Sequence, residues 1–169
     1  DVTQWRWHAI ELGLIRHGLS KAEAQCGADA AMENFALWRS RIYVPAATHD
    51  TLSALAEHYP LVAITNGNAD VRRLGLSDYF QFALCAEELG IGKPDPKPFR
   101  EALSRAGGVA AERAVHIGDH PSDDIAGALA AGFRAIWFNP QGNAWSDAPP
   151  AHAEVRALAE LPALLHGWR

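Results

Sequence analysis

The first part of the chain has apolar residues at every third or fourth position, which is the period of an amphipathic helix. This pattern predicts one helix over residues 2–17. Its apolar positions are Trp5, Ala9, Leu12 and Ile15. A second helix is predicted from Lys21 to about Ser40, because Ser20 and Glu23 have the spacing of a capping box. Two successive helices without a strand between them predict a small helical subdomain over residues 1–44.

Beyond Val44-Pro45 the pattern changes to short apolar runs that alternate with helical segments. The apolar runs predict strands at residues 61–64, 82–85, 114–117 and 135–138. Helices are predicted at residues 48–58, through 71–74, and at 98–107, 125–131 and 154–165. Wholly apolar strands that alternate with helices are typical of a sheet covered on both faces. Residues 45–169 are therefore predicted to form a doubly wound α/β domain with a parallel sheet.

Composition and charge disfavour several classes of protein. The formal charge of −5 and the pI near 5.9 argue against binding to nucleic acid, which needs a basic surface. No apolar run approaches the ~20 residues of a membrane-spanning helix, so no membrane association is expected. Cys26 and Cys85 lack the spacing of a metal or redox motif. We therefore expect free thiols and a cytoplasmic protein.

Polar residues follow three of the predicted strands at their carboxyl ends, which meet at one edge of a parallel sheet. They are Thr65, Asn66 and Gly67 after the first strand, Lys93 after the second, and Asp119, Asp123 and Asp124 after the third. A hydroxyl, an amide, a fixed cation and clustered carboxylates suit phosphoryl transfer with a hard metal ion such as Mg²⁺. The sequence therefore predicts a small phosphorylated metabolite as the partner of this site.

Each segment also has a purely structural interpretation. The aspartates could cap the following helix, Asn66-Gly67 is a common hairpin turn, and Lys93 could be a solvated loop lysine. Thr65 could likewise cap the segment that follows it. His116 and His120 span a strand and a turn, so a shared zinc ion is not expected. The functional interpretation rests on the order of the three segments together.

These three segments resemble the second, third and fourth motifs of the haloacid dehalogenase-like (HAD) hydrolase superfamily. The motifs are Ile64-Thr65-Asn66-Gly67, Gly92-Lys93-Pro94 and Gly118-Asp119 through Asp124. Residues 1–6, 34–42 and 61–69 are similar, more narrowly, to a bacterial phosphatase of riboflavin synthesis. That enzyme type acts on 5-amino-6-(5-phospho-D-ribitylamino)uracil and also on FMN. The resemblance implies a HAD-like fold, a phosphomonoester substrate and Mg²⁺ as cofactor.

The resemblance also implies roles for single residues of the core. The Thr65 hydroxyl, assisted by the Asn66-Gly67 backbone, would bind the phosphoryl oxygens. Lys93 would balance charge between the phosphoryl group and the nucleophile. Asp119 would ligate Mg²⁺ and Asp124 would orient the shell of the metal. Asp123 lies one position from the alternative spacing of the motif and is a further metal candidate.

Residues 1–41 would form part of a helical cap over the site. The residues of this cap that would stack on a pyrimidine or flavin ring and hold the ribityl chain are Trp5, Arg6, Trp38 and Arg39. The alternative is that both tryptophans belong to the apolar core of the cap.

The first motif of the superfamily, Asp-x-Asp-x-Thr, does not occur in the sequence. In the family it supplies the nucleophile and the general acid and ends the central strand of the sheet. We therefore expect a C-terminal portion of a longer enzyme, with a core that lacks its first strand and no phosphatase activity of its own. The alternatives are a non-catalytic phosphate-binding or regulatory domain and a dehalogenase, which the acidic turn disfavours. A monomer is expected unless another chain replaces the missing strand.

Overall fold

The computed structural model describes residues 2–39, 41–67, 71–145 and 149–168. The chain divides into two compact units, residues 1–43 and 44–169. The first unit contains helices α1 (Val2–Arg16) and α2 (Lys21–Arg39). The second unit contains α3 (Ala46–Ala56), β1 (Val62–Thr65), β2 (Phe82–Cys85), α4 (Ala86–Leu89), α5 (Pro96–Arg105), β3 (Val115–Gly118), α6 (Gly127–Ala130), β4 (Arg134–Phe138), β5 (Ala153–Val155) and α7 (Leu161–His166). Within the described ranges, no helix is long and apolar enough to cross a membrane.

The two helices of the first unit pack closely because small residues of α2 face α1. Ala28 is completely buried, and a Cβ atom on Gly27 would lie only 2.7 Å from Leu14 Cδ1. The indole Nε1 of Trp7 donates a 2.6 Å hydrogen bond to Asp29 Oδ1 and ties the helices together. The two predicted helices are confirmed.

The capping box predicted at the start of α2 is also confirmed. The Ser20 N–H donates to Glu23 Oε2 at 2.9 Å, and the Glu23 N–H donates to Ser20 Oγ at 3.4 Å. The Ser20 side chain and then its backbone N–H hold the pKa of Glu23 below its usual value. The two side chains therefore provide acceptors for N–H groups at the start of the helix, where the helix itself offers none.

The strands of the second unit form two parallel sheets. β1 pairs with β2, with Thr65 opposite Cys85. The other sheet has the order β3-β4-β5, with Gly118 opposite Trp137. No ladder of hydrogen bonds joins β1 to β3 among the residues that the structure describes. The expected absence of a central strand stays a prediction.

Strand β4 is covered on both faces, as its apolar sequence predicts. Ala135 and Trp137 belong to one buried cluster, together with Phe99, Ile125, Ala128 and Phe133. Ile136 belongs to another, together with Leu55, Val155, Leu161 and Leu165. Alternate residues of a strand point to opposite faces. The two clusters therefore cover β4 from both sides, as in a doubly wound α/β fold.

The predicted helix over residues 154–165 is wrong in its first half. Ala153–Val155 form β5, which pairs in parallel with β4, and α7 begins only at Leu161. Val155 is 2% exposed and lies opposite Phe138. The edge of β4 supplies backbone partners that the local apolar spacing does not reveal.

Two other segments differ from the predicted helices. Residues 71–75 form turns, and residues 68–70, which precede them, lie outside the described residues. The helix predicted from Ile125 begins earlier, as a π-helical segment at Pro121–Ala126 that continues into α6. The Ile125 N–H bonds to the His120 carbonyl at 3.3 Å, which is the wider π-helical spacing. This wider turn carries Asp123 and Asp124 of the acidic segment.

Candidate functional site

Lys93 and Asp124 form a buried ion pair where the loops after β1, β2 and β3 meet. Lys93 Nζ lies 2.5 Å from Asp124 Oδ1, and the two side chains are only 10% and 6% exposed. The same nitrogen donates a 3.0 Å hydrogen bond to the carbonyl of Ile64. Because Ile64 belongs to β1 and Asp124 follows β3, the ammonium group links the two sheets at their carboxyl edge.

Both oxygens of Asp124 are occupied by groups of the protein. Besides Lys93, Oδ1 contacts His116 Nε2 at 2.9 Å, while Oδ2 accepts a 3.0 Å hydrogen bond from the His120 N–H. Burial by itself would raise the pKa of Asp124. The hydrogen bonds from His116, Lys93 and His120 and the charge of Lys93 outweigh burial and lower this pKa well below its usual value. Asp124 is therefore an ionised residue that holds Lys93, with little capacity left for direct metal ligation.

The side chain of Asn66 fixes the loop that carries Lys93. Asn66 Oδ1 accepts a 2.6 Å hydrogen bond from the Lys93 N–H, and Nδ2 donates to the Lys93 carbonyl at 2.8 Å. The amide thus contacts both backbone groups of one residue. Nδ2 also lies 3.2 Å from Asp123 Oδ2. Asn66 therefore connects the loops after β1, β2 and β3 through its side chain, a role that the sequence did not indicate.

Thr65 ends β1 beside this pair. Its Oγ1 accepts a 3.0 Å hydrogen bond from the Gly67 N–H. A threonine hydroxyl both accepts and donates, so its own hydrogen remains available to an anion. Because this contact occupies the Gly67 N–H, the structure favours the hydroxyl over the Gly67 backbone as a phosphate donor.

Asp119 and Asp123 differ from the buried Asp124. Asp119 is exposed, and its carboxylate has no hydrogen-bond or ion-pair partner within the described part of the chain. Its backbone carbonyl accepts a 3.0 Å hydrogen bond from Trp137 Nε1. Asp123 is half-buried and contacts Asn66 and Ser122. Asp119 is thus the carboxylate of the acidic turn that remains free for a cation.

The described residues do not complete a metal site by themselves. No group of three or more His, Cys, Asp or Glu side chains is arranged to hold a metal ion in the ranges described. Mg²⁺ takes carboxylate oxygens and water molecules, which suits the free carboxylate of Asp119. The predicted Mg²⁺ site at Asp119, with Asp123 and Asp124, stays a prediction.

Two glycines are required by the close packing of the site. A Cβ atom on Gly118 would overlap the Asp124 carboxylate, and a Cβ atom on Gly92 would lie 2.6 Å from Asn66 Oδ1. Gly92 directly precedes Lys93, and Gly118 directly precedes Asp119. Gly92 therefore leaves room for a side chain from another loop, and Gly118 for a side chain of the turn that follows it.

His116 was also not predicted as a functional residue. It lies in β3, where its ring centre is 5.1 Å from that of Phe99 and the two rings are nearly perpendicular, and it contacts Asp124 as described above. A polar residue within the apolar run at residues 114–117 was the available signal. Its partner follows a turn, so sequence spacing alone did not identify the contact.

The four cap residues predicted to bind substrate all belong to the first unit. Trp5 is 75% exposed and Trp38 is 63% exposed, so neither indole is buried among the described residues. The Arg6 guanidinium lies 5.1 Å from the centre of the Phe35 ring. Arg41, which was not predicted, lies 4.6 Å from the centre of the Trp38 ring. A role for these residues in binding stays a prediction.

The comparisons with known proteins identify the family. Residues 4–132 match the family model of haloacid dehalogenase-like hydrolases. The chain therefore belongs to the haloacid dehalogenase-like hydrolase family, as its three motifs predict. The fold class is confirmed by the same match and by the solved structures that it resembles.

The similar proteins are named for different activities. The chain is 44% identical to the 5-amino-6-(5-phospho-D-ribitylamino)uracil phosphatase YigB of Escherichia coli K12, over 98% of this chain and 71% of that protein. It is 33% identical to the pyrimidine 5'-nucleotidase YjjG of the same organism, over 68% of this chain and 53% of that protein. The crystal structure of a 2-haloacid dehalogenase from Pseudomonas syringae pv. tomato DC3000 is 52% identical, with a TM-score of 0.94 over all of this chain and 73% of that one. The predicted similarity to a bacterial 5-amino-6-(5-phospho-D-ribitylamino)uracil phosphatase is thereby confirmed.

Proposed function

We propose that the chain acts in the Mg²⁺-dependent hydrolysis of a phosphomonoester. The observation that carries this proposal is the Lys93 ammonium, held between the Ile64 carbonyl and Asp124 at the carboxyl edge of β1 and β3. A lysine ammonium has three N–H donors, and two of them serve these contacts. The third has no partner among the described residues, which leaves it for an anion bound beside Thr65.

The residues of this chain bind and orient the phosphoryl group. The Thr65 hydroxyl donates to one phosphoryl oxygen, and Lys93 donates to another and offsets its negative charge. Donors that are fixed in advance stabilise developing charge without having to reorganise during the reaction. The hydrogen bonds of Asn66 and Asp124 hold Lys93 in this way.

Asp119 supplies the carboxylate for Mg²⁺ in this proposal, and further ligands come from outside the described residues. When bound, the metal ion neutralises charge on the phosphoryl oxygens. Asp123 and Asp124 support the turn that presents Asp119.

The nucleophile is proposed to be an aspartate outside these residues, on a strand that joins the two sheets. Its carboxylate oxygen attacks phosphorus, and the bond to the ester oxygen breaks as that oxygen takes a proton from the general acid, the second aspartate of the same Asp-x-Asp-x-Thr motif. Water then hydrolyses the aspartyl-phosphate, which releases phosphate and restores the carboxylate. The separate β1–β2 and β3–β4–β5 sheets favour such a strand, since β1 and β3 each have an edge without a partner in the described residues.

The proposed substrate is 5-amino-6-(5-phospho-D-ribitylamino)uracil or FMN, in riboflavin metabolism. The name of the YigB relative supports this class of substrate. The exposed indoles of Trp5 and Trp38 offer flat surfaces for a pyrimidine or flavin ring. Arg6 and Arg39, on the same unit, would hold the ribityl chain, whose hydroxyls accept hydrogen bonds from guanidinium groups.

The test compares residues 1–169 with the protein encoded when the coding sequence upstream of Asp1 is included. Each is assayed for phosphate release from both proposed substrates, with Mg²⁺ and with EDTA. We expect Mg²⁺-dependent release by the longer protein and none by residues 1–169. An upstream sequence without an Asp-x-Asp-x-Thr motif, and no turnover by either protein, would support a non-catalytic phosphate-binding domain instead.

A dehalogenase is the second candidate because the similar Pseudomonas structure carries that name. Carbon–halide displacement needs no metal ion, so the free carboxylate of Asp119 would have no role in it. Chloride release from 2-chloropropionate in the presence of EDTA, together with no phosphate release in the presence of Mg²⁺, would establish this activity and exclude the phosphatase.

A further inference from the structure

His116 is a nearly buried side chain that the proposed reaction does not use. It lies in β3 opposite Ala135 of β4, and its side chain is 10% exposed. The ring edge packs on Phe99, which is completely buried. These contacts fix the imidazole from the strand side of the site.

The His116 imidazole and the Lys93 ammonium contact the same oxygen, Asp124 Oδ1. His116 Nε2 and Lys93 Nζ lie 2.9 and 2.5 Å from Asp124 Oδ1. An ionised carboxylate only accepts hydrogen bonds, so Nε2 of His116 carries the hydrogen. Asp124 Oδ2 is held separately by the His120 N–H. The carboxylate is therefore fixed from three directions, and only one of them is Lys93.

We propose that His116 is a positioning residue of the phosphate site, which holds Asp124 so that the Lys93 ammonium keeps one N–H free for the anion. This role rests on the proposed function. Without the His116 donor, the Asp124 carboxylate can rotate about its side-chain bonds, and Lys93 follows it. The ammonium then loses the geometry that the Ile64 carbonyl and Asp124 define together.

The chain offers informative substitutions at this position. In His116→Gln the amide nitrogen takes approximately the place of Nε2, so the hydrogen bond to Asp124 is kept. In His116→Leu the donor is absent and the side chain is apolar. The matched control is His49→Leu, because His49 is half-buried in the second unit but bonds to Tyr79 at 3.1 Å, away from the site.

The first measurement is the nuclear magnetic resonance signal of the Lys93 ammonium in the ¹⁵N-labelled chain, assigned by its loss in Lys93→Met. A held ammonium exchanges its protons slowly enough to be seen. We expect the signal in the wild type, in His116→Gln and in His49→Leu, and its loss in His116→Leu. Retention of the signal in His116→Leu would overturn the proposal, as would its absence in the wild type.

The second measurement is the affinity for inorganic phosphate by calorimetry, with and without Mg²⁺. Loss of a residue that orients the side chains of a metal site typically weakens metal affinity or activity by about 10- to 100-fold. We expect an effect at the lower end of this range, about tenfold weaker phosphate binding, in His116→Leu. His116→Gln should stay within about twofold of the wild type, and His49→Leu should match it even if its melting temperature falls equally. Equal affinities in all four proteins would contradict the proposal. If the wild type binds no phosphate, the proposed function fails, while the Lys93 signal still decides the role of His116.

Discussion

The two units of the chain differ in how far their candidate binding residues are exposed to solvent. In the second unit, Lys93 and Asp124 are nearly buried, and neighbouring groups hold each of them. In the first unit, Trp5 and Trp38 are mostly exposed. Buried and fully hydrogen-bonded groups are fixed before a ligand arrives, whereas exposed aromatic side chains can adapt to it. Under the proposed function, the core would hold the reacting phosphoryl group, and the helical unit would contact the variable part of the substrate.

Removal of the Lys93 charge should produce the largest loss of stability and of phosphate binding, because Lys93 is one of the fixed, buried groups of the second unit. Lys93→Met leaves Asp124 buried without its cation, and the loss of one partner of a buried ion pair costs about 3 kcal/mol or more of unfolding free energy. Phosphate binding should be lost as well. Urea unfolding and calorimetry measure both quantities.

Lys97→Met is the matched control for this prediction. Lys97 is exposed, and among the described residues its Nζ bonds only to the Leu89 carbonyl, at 3.0 Å. We expect a change within about 0.5 kcal/mol, as for most surface substitutions. Similar losses of unfolding free energy in both variants would show that the buried Lys93–Asp124 pair contributes no more to stability than a surface lysine.

A smaller effect is expected from Asn66→Ala. This change removes the amide that bonds to both backbone groups of Lys93, and a net loss of about 1 kcal/mol is typical for hydrogen bonds of this kind. The larger consequence should be phosphate affinity, lower by about tenfold, since Lys93 loses its fixed loop. Asn143→Ala is the control, because the bonds of Asn143 to Asn139 use its main chain. Equal phosphate affinities of the two variants would show that the Asn66 side chain does not position Lys93 for phosphate binding.

The exposed surface of the helical unit is tested by Trp5→Ala in the complete enzyme. Trp5 is 75% exposed, so stability should change by less than about 0.5 kcal/mol. If the indole stacks on the flavin ring, KM for FMN should rise about fivefold, and KM for a small sugar phosphate should not. Tyr43→Ala, at an 85% exposed aromatic residue of the same unit, should change neither value. Equal changes in KM for the two substrates would show that Trp5 does not contact the flavin ring.

The smallest effect concerns the capping box of α2. The pKa of Glu23 is lowered by Ser20 in the folded chain. Its contribution to stability is therefore complete above the unfolded pKa of about 4.3 and decreases as the pH falls through the lower folded pKa. Ser20→Ala should consequently reduce helicity at pH 7, and the difference from the wild type should shrink at pH 2. Circular dichroism measures this, and a difference that grows on acidification would show the opposite sign.

The sequence by itself determined the family and most of the secondary structure. Apolar runs defined β1 to β4, and the Ser20–Glu23 spacing defined the start of α2. The motif at Gly92-Lys93-Pro94 carried the resemblance together with two others. These features are local in sequence, because periodicity, capping and short motifs depend on neighbouring residues.

The tertiary structure alone decided which groups meet. Asn66 bonds to Lys93 from another loop, and His116 shares Asp124 Oδ1 with that lysine. β5 formed at residues 153–155 instead of a helix because the edge of β4 offered it backbone partners. Contacts between residues far apart in sequence depend on how strands and loops are arranged in space, and no local pattern encodes that arrangement.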